Sequence, residues 1–301
     1  MWDNIKILID APLFTLDMVI NGLLIGAVFA LIAYGLALVW GVMNVKNLAQ
    51  GDFVILGAYV AWTLFNWGIH PFFGVPVAFG VLWVLGWIVY KTVVYRVIEH
   101  DLFTSLLATF GVAIVLQQSM NLIFGSDEQT VSLGMESMSF FDNVVTIQPT
   151  RLIAFFAAIL LAIAVITFMK RSRMGQAIRA TSQNPRSARV MGIDTEKVYA
   201  FTYSLNAAIC GAAGALVAVI WEFQPYIGLI FSIRSFVIVT AAGLGNLPGV
   251  IAAGLGMGVL EQTGAFVLGT QFQQAIVVGM LLVVLLVKLI LASRHRQVVE
   301  Q

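Results

Sequence analysis

Charge is scarce in this chain. Asp, Glu, Lys and Arg make up 10% of its 301 residues, whereas a soluble globular domain carries about 25%. The little there is nearly cancels, and a formal net charge of +1 offers no general attraction for nucleic acid. Cysteine occurs once, as Cys210, which excludes an intramolecular disulfide; its apolar neighbours in sequence mark it as inert packing. The three histidines, His70, His100 and His295, are too far apart in sequence and in expected depth to form a metal centre. Catalytic signatures are missing too. Without GxxxxGKS or GxxxxGKT the chain cannot cradle nucleotide phosphates itself, and HExxH, CxxC and GxSxG are equally absent. We therefore expect no catalytic residue, no metal and no cofactor bound by this chain.

Apolar residues fill the space that charge leaves: 60% of the sequence is hydrophobic and the mean hydropathy is +0.95. Runs of about 20 apolar residues recur, and in lipid such runs must be helices, because no water is present to satisfy unpaired backbone groups. The alternation of a β-barrel is lacking. The expected fold is an all-α polytopic membrane protein, a single transmembrane domain over residues 1–301, with crossings at 18–42, 53–67, 74–95, 102–124, 151–169, 198–221, 229–263 and 270–291. The first 17 residues hold Asp3, Asp10 and Asp17 against Lys6. That is the wrong sign for the n-region of a cleavable signal peptide, so the first run is expected to be retained.

The basic residues vote on orientation independently of hydropathy. With the N-terminus outside and the C-terminus cytoplasmic, Lys46, Lys91, Arg96, the seven basic residues from Lys170 to Lys197, Lys288, Arg294 and Arg296 fall inside, leaving Lys6, Arg151 and Arg234 elsewhere. The loop from Gly125 to Thr150, with Asp127, Glu128, Glu136 and Asp142 and no basic residue, then lies outside. The count closes if 229–263 is broken: Phe231 to Ala242 enters, residues 243–249 (GLGNLPG) turn, and Val250 to Leu260 leaves, each limb shorter than a full span. A similar interruption, VMNVKNLAQGDF, precedes the short second crossing. Phe53-Val54-Ile55 and Phe236-Val237-Ile238 begin comparable small-residue segments, matched as the halves of an inverted-repeat transporter would be. Glycine pairs inside the spans, Gly22 with Gly26, Gly211 with Gly214 and Gly254 with Gly258, read as close helix packing.

Ionisable groups at membrane depth are few, and each sits near a break or an interface rather than mid-span. Asp52 reads as an N-cap or turn residue ahead of the second crossing, or as a pathway residue. Arg234 and Glu261 flank the two limbs of the broken segment. Together with Asn21, Gln50, Asn246 and Pro248 they are the candidate pathway or broken-helix residues. Such amides also serve as interhelical hydrogen bonds, and no chain of carboxylates suggests a proton relay.

The basic loop, 170–197, carries the strongest functional signal. Asn184-Pro185, RSARVM and Gly192 read as an N-cap, a proline at the first helical position, about two turns and a terminating glycine. Two turns do not hold together alone, so this helix must dock. It suits a lever inserted in a groove on a partner ATPase, with Arg186, Ala188, Arg189 and Met191 as its contacts. The bland alternative lays it on anionic lipid headgroups, although no Trp or Phe anchors it there. A gradient-driven carrier needing no partner is the rival from another class.

Three blocks carry a resemblance over nearly the whole chain: residues 21–61 (NGLLIGAVFALIAYGLALVWGVMNVKNLAQGDFVILGAYVA), 175–194 (GQAIRATSQNPRSARVMGID) and 241–261 (AAGLGNLPGVIAAGLGMGVLE). The sequence resembles the membrane-spanning permease of bacterial ABC importers for branched-chain amino acids, in the hydrophobic amino-acid uptake class, and is most similar to the smaller of the two permeases such systems pair. The resemblance implies an inner-membrane complex of this chain, a second permease, two ATP-binding subunits that use ATP-Mg, and a periplasmic solute-binding protein. Asn184 to Gly192 would be the coupling helix. The outer segments Gly125 to Thr150 and Trp221 to Tyr226 would receive the binding protein. Where relatives commonly show Ala-His-Gly-Asp, this chain has Ala49-Gln50-Gly51-Asp52, which leaves urea, short amides and other small organic solutes open beside aliphatic amino acids.

Overall fold

The computed structural model describes residues 4, 6, 8, 10–98, 102–140, 145–243 and 245–299, and the side chains of all of these except 289 and 291–299. His100, Asp142 and Leu244, and the side chains of Arg294, His295 and Arg296, lie outside that set. The elements in order are α1 (Pro12–Met43), α2 (Gln50–Asn66), α3 (Pro71–Val97), α4 (Leu102–Phe124), β1 (Met138–Phe140), β2 (Val145–Ile147), α5 (Pro149–Arg171), α6 (Arg173–Gln183), α7 (Pro185–Val190), α8 (Thr195–Ile220), α9 (Gly228–Ala242), α10 (Leu247–Leu268) and α11 (Gln273–Val299).

Two helices form the centre. The apolar windows of α1 and α8 are 94% buried, whereas those of α3, α4, α5, α10 and α11 are between 6% and 33% buried and leave most of their apolar surface for lipid. Small residues let the centre close. Gly22 and Gly26 of α1 meet Gly254 and Gly258 of α10: a Cβ on Gly22 would stand 2.6 Å from Val259 Cα, and one on Gly254 would stand 2.6 Å from Ala30 Cα. The two GxxxG pairs are thus the two sides of one contact, in which backbones approach until van der Waals packing and backbone dipoles, rather than hydrophobic exclusion, hold the helices. On α8, Gly211 and Gly214 face Gly57 and Val54 of α2 in the same way, and Gly211 also faces Ala78 of α3.

Both expected interruptions are present, with corrected bounds. α1 stops where Asn44 takes the left-handed conformation, φ 53°, and its N–H bonds Trp40 O at 3.0 Å. The chain unwinds to Ala49 and rewinds at Gln50, three residues before the expected start. Asp52 is therefore inside the first turn of α2 and does not cap it; Ala49 holds the N-cap position without a side-chain bond. In the second interruption, Gly243 (φ 88°) and Gly245 (φ 80°) make the turn, conformations that cost a residue with a Cβ. Asn246 then caps α10 by accepting from Gly249 N at 3.1 Å, with Pro248 in the first turn. The outgoing limb is not short: α10 has 22 residues and can cross alone. The expectation ended that limb at the charge of Glu261, but an ion pair neutralises that charge and the helix continues.

Three further features differ from expectation. The acidic loop contains the β1–β2 hairpin, antiparallel with Ser139 opposite Thr146. The basic loop holds two helices, not one, because Ser172 caps α6 by accepting from Gly175 N at 2.8 Å and α6 buries Gly175, Ile178 and Thr181. α3 carries a π turn at Tyr90–Val94.

Candidate functional site

The first interruption is locked by amides. Gln50 Nε2 donates to Ile32 O (2.9 Å) and lies 2.9 Å from Cys210 Sγ, while Gln50 Oε1 accepts from Asn206 Nδ2 at 3.0 Å and from Asn47 Nδ2 at 3.4 Å. Asn47 Oδ1 in turn accepts from Ala49 N at 3.2 Å and from Tyr203 Oη at 3.4 Å. Gln50, Asn47, Asn206, Tyr203 and Cys210 are all fully buried. Unwound backbone at membrane depth must be satisfied by protein, and this cluster does so. Cys210, read from its neighbours as plain packing, belongs to the lock.

Beside it, the first turns of α2 and α9 interpenetrate. Gly51 N donates to Ser232 Oγ at 2.8 Å, Ser232 Oγ donates to Leu48 O at 2.8 Å, and Gly51 packs directly on the Gly228 carbonyl. Asp52, 1% exposed, accepts from Gln117 Nε2 of α4 at 2.9 Å. The structure therefore joins the starts of the two short helices, which hydropathy had only shown to be similarly placed. Gln117 was missed because a lone glutamine in an apolar run gives no signal of its own.

Arg234 of α9 and Glu261 of α10 form a two-point ion pair, with Arg234 Nε 3.1 Å from Glu261 Oε2 and Arg234 Nη2 bonded to Glu261 Oε1. The Arg234 guanidinium also lies over the rings of Phe29 (4.8 Å) and Phe231 (5.7 Å). The pair faces a cavity of about 600 Å³ toward the end of the bundle opposite the basic loop, with Arg151, Trp221 and Glu222 on its wall. Asn21, also expected in the pathway, sits instead at the foot of the hairpin. It donates to Thr146 O at 3.2 Å and accepts from Arg151 Nη1 at 3.2 Å. Arg151 was legible as one of the three basic residues that the orientation count could not place.

Near that end the two segments expected to receive the binding protein meet: Gln129 N bonds Phe223 O at 2.9 Å and Phe223 N bonds Gln129 O at 3.0 Å. At the other end, α7 forms as its residues dictate. Asn184 Oδ1 accepts from Ser187 N at 3.0 Å, Pro185 opens the helix, and Gly192 follows it at φ 83°. Ala188 is buried, Arg189 Nε donates to Thr195 Oγ1 at 2.8 Å, and Asp194 caps α8 by accepting from Lys197 N at 3.1 Å. That backbone donation holds the Asp194 carboxyl below the usual carboxylate range. α7 is thus clamped between α6 and α8, while Arg186, Val190 and Met191 are exposed; for the two apolar residues exposure reaches 87% and 81%.

Residues 18–286 match the family described as branched-chain amino acid transport system, permease component. The chain is 30% identical over 294 residues to the high-affinity branched-chain amino acid transport system permease protein LivH of Salmonella typhimurium, covering 91% of this chain and 94% of the relative. It is 28% identical to the corresponding protein BraD of Pseudomonas aeruginosa, with 90% and 93% covered. It is 30% identical to a probable branched-chain amino acid transport permease protein LivH of Methanocaldococcus jannaschii, with 85% and 83% covered. Permeases of this kind are multi-pass proteins of the cytoplasmic membrane that do not hydrolyse ATP themselves but work with ATPase and solute-binding partners. With nearly its whole length matched, this chain belongs to the family of permease components of branched-chain amino acid transport systems.

Proposed function

We propose that this chain moves branched-chain or other aliphatic amino acids inward, as one of two permease subunits driven by two ATP-binding subunits and fed by a periplasmic solute-binding protein. The observation that carries the coupling is α7: a helix too short to stand alone, fixed at both ends by Asn184 and Arg189 and presenting the side chains of Val190 and Met191 largely exposed. Exposed apolar side chains on a rigid mount suit a groove on an ATPase, which could then push α5 and α8 through α6 and α7. Asn184 to Gly192 is the coupling helix in this reading, with Arg186 and Arg189 offering charge to the partner. The joined outer segments around Gln129 and Phe223 are the landing place for the binding protein. The names of the relatives support the substrate class.

The experiment is uptake of labelled leucine by cells with and without this gene. Loss of leucine uptake in the deletion is expected. Unchanged leucine uptake with loss of urea or a short amide would replace the substrate and leave the architecture standing.

A further inference from the structure

Arg234 and Glu261 are an expensive pair to keep. Removing two charges from water costs several kcal/mol per ion, and replacing a buried ion pair by apolar residues is often neutral or stabilising, so stability alone does not require the pair. At membrane depth an ionisable residue marks a function by default. The pair also faces open space of about 600 Å³, within the size range of small-molecule sites.

The surroundings are arranged by sign. Arg234 presents its guanidinium fork to Glu261 and lies over Phe29 at 4.8 Å, a ring contact that does not involve the carboxylate. Arg151 lines the same cavity, and its Nε is a buried donor without a hydrogen-bond partner. Glu222 adds a second carboxylate to the cavity wall, while Ile25, Ile227 and Ile230 supply an aliphatic face.

We infer that this cavity is a subsite for the charged head of a zwitterionic aliphatic amino acid: the carboxylate takes the place of Glu261 on Arg234, and the ammonium satisfies the freed Glu261. This deepens the proposed function and rests on its amino-acid reading. The exchange leaves both Arg234 and Glu261 paired at both stages. A ligand with one charge would strand either Arg234 or Glu261, at a cost of several kcal/mol, and a neutral amide would give no compensation for opening the pair. Arg151 Nε gains the acceptor it lacks, as a bidentate or bridging carboxylate contact allows.

The test uses the purified complete complex without the binding protein. Trp221 stacks on Phe29 with ring centroids 5.6 Å apart at the cavity wall, and its emission, isolated by difference against Trp221→Phe, is the readout. Leucine should change it saturably; 3-methylbutylamine and 4-methylpentanoate, each with one of leucine's two charges, and urea, with neither, should not. The double variant Arg234→Gln with Glu261→Gln keeps polar contact without a lone buried charge. It should assemble, melt as the wild type does, lose the response, and, in liposomes supplied with the binding protein, slow leucine uptake by more than about tenfold, the scale of one charged hydrogen bond. An equal response to the one-charge analogues, no response in the wild type, or unchanged leucine uptake by the double variant overturns the subsite. Should the double variant fail to assemble, Arg234→Lys decides: a raised leucine midpoint supports the two-point fork and an unchanged midpoint overturns it. Failure of the underlying reading is separately visible, because a wild-type complex that transports some other solute and no leucine removes the amino-acid substrate itself.

Discussion

Gly22 and Gly258 meet backbone to backbone, so closely that a Cβ on Gly22 would stand 3.0 Å from Gly258 O. The contact fixes α10, and with it Glu261, against the central helix α1. Gly258→Leu should therefore force the helices apart, costing about 1–3 kcal/mol as overpacking does, and should lower the melting temperature of the purified protein. Gly256→Leu on the same helix, where a Cβ would meet nothing within 4 Å, should leave it nearly unchanged. Equal effects at the two positions would show that the crossing is not the determinant.

The amide lock makes a graded prediction. Gln50→Leu strips the acceptor from Asn206 Nδ2 and Asn47 Nδ2 and leaves buried amide donors unpaired, at about 1–3 kcal/mol. Gln50→His, which retains a donor and an acceptor, should cost less. Thermal melting of the two variants checks the order; the reverse order would mean that the lock is not held by hydrogen bonds.

The exposed face of α7 predicts a separation of stability from function. Val190→Asp with Met191→Asp alters two fully exposed side chains, so folding stability should stay within about 0.5 kcal/mol, while ATP-driven uptake falls by more than about tenfold as the apolar contact with the partner is lost. Asn184→Ala, which removes the bond to Ser187 N, should cost about 1 kcal/mol of local helix stability and weaken coupling less. Full uptake in both variants would remove α7 from the coupling path.

Much of this was legible in the sequence, for identifiable reasons. The spans and both breaks follow from runs of apolar residues interrupted by Gly, Asn and Pro, and α7 follows from its capping residues. α6 was hidden because its pattern, Gly175, Ile178 and Thr181, contains one large apolar residue in three and reads as part of a polar loop. The glycine pairs signalled close packing, but nothing in a single chain says that Gly22 meets Gly258. Likewise Arg234 and Glu261 are 27 positions apart, and only the turn at Gly243 and Gly245 brings them together. Asp52 misled because a Gly-Asp before an apolar run looks like a cap, whereas the lock at Gln50 starts the helix earlier.

If α7 is held by an ATP-hydrolysing partner, the two must lie within reach of a short cross-linker. Cys210 is fully buried, so Met191→Cys introduces a thiol that a bifunctional cross-linker can reach in the membrane-embedded complex. A cross-linked product joining this chain to an ATP-binding subunit is expected, with a yield that changes when ATP is added. Labelling of that thiol from the extracytoplasmic face, or purification of a transport-competent chain with no ATPase attached, would contradict it.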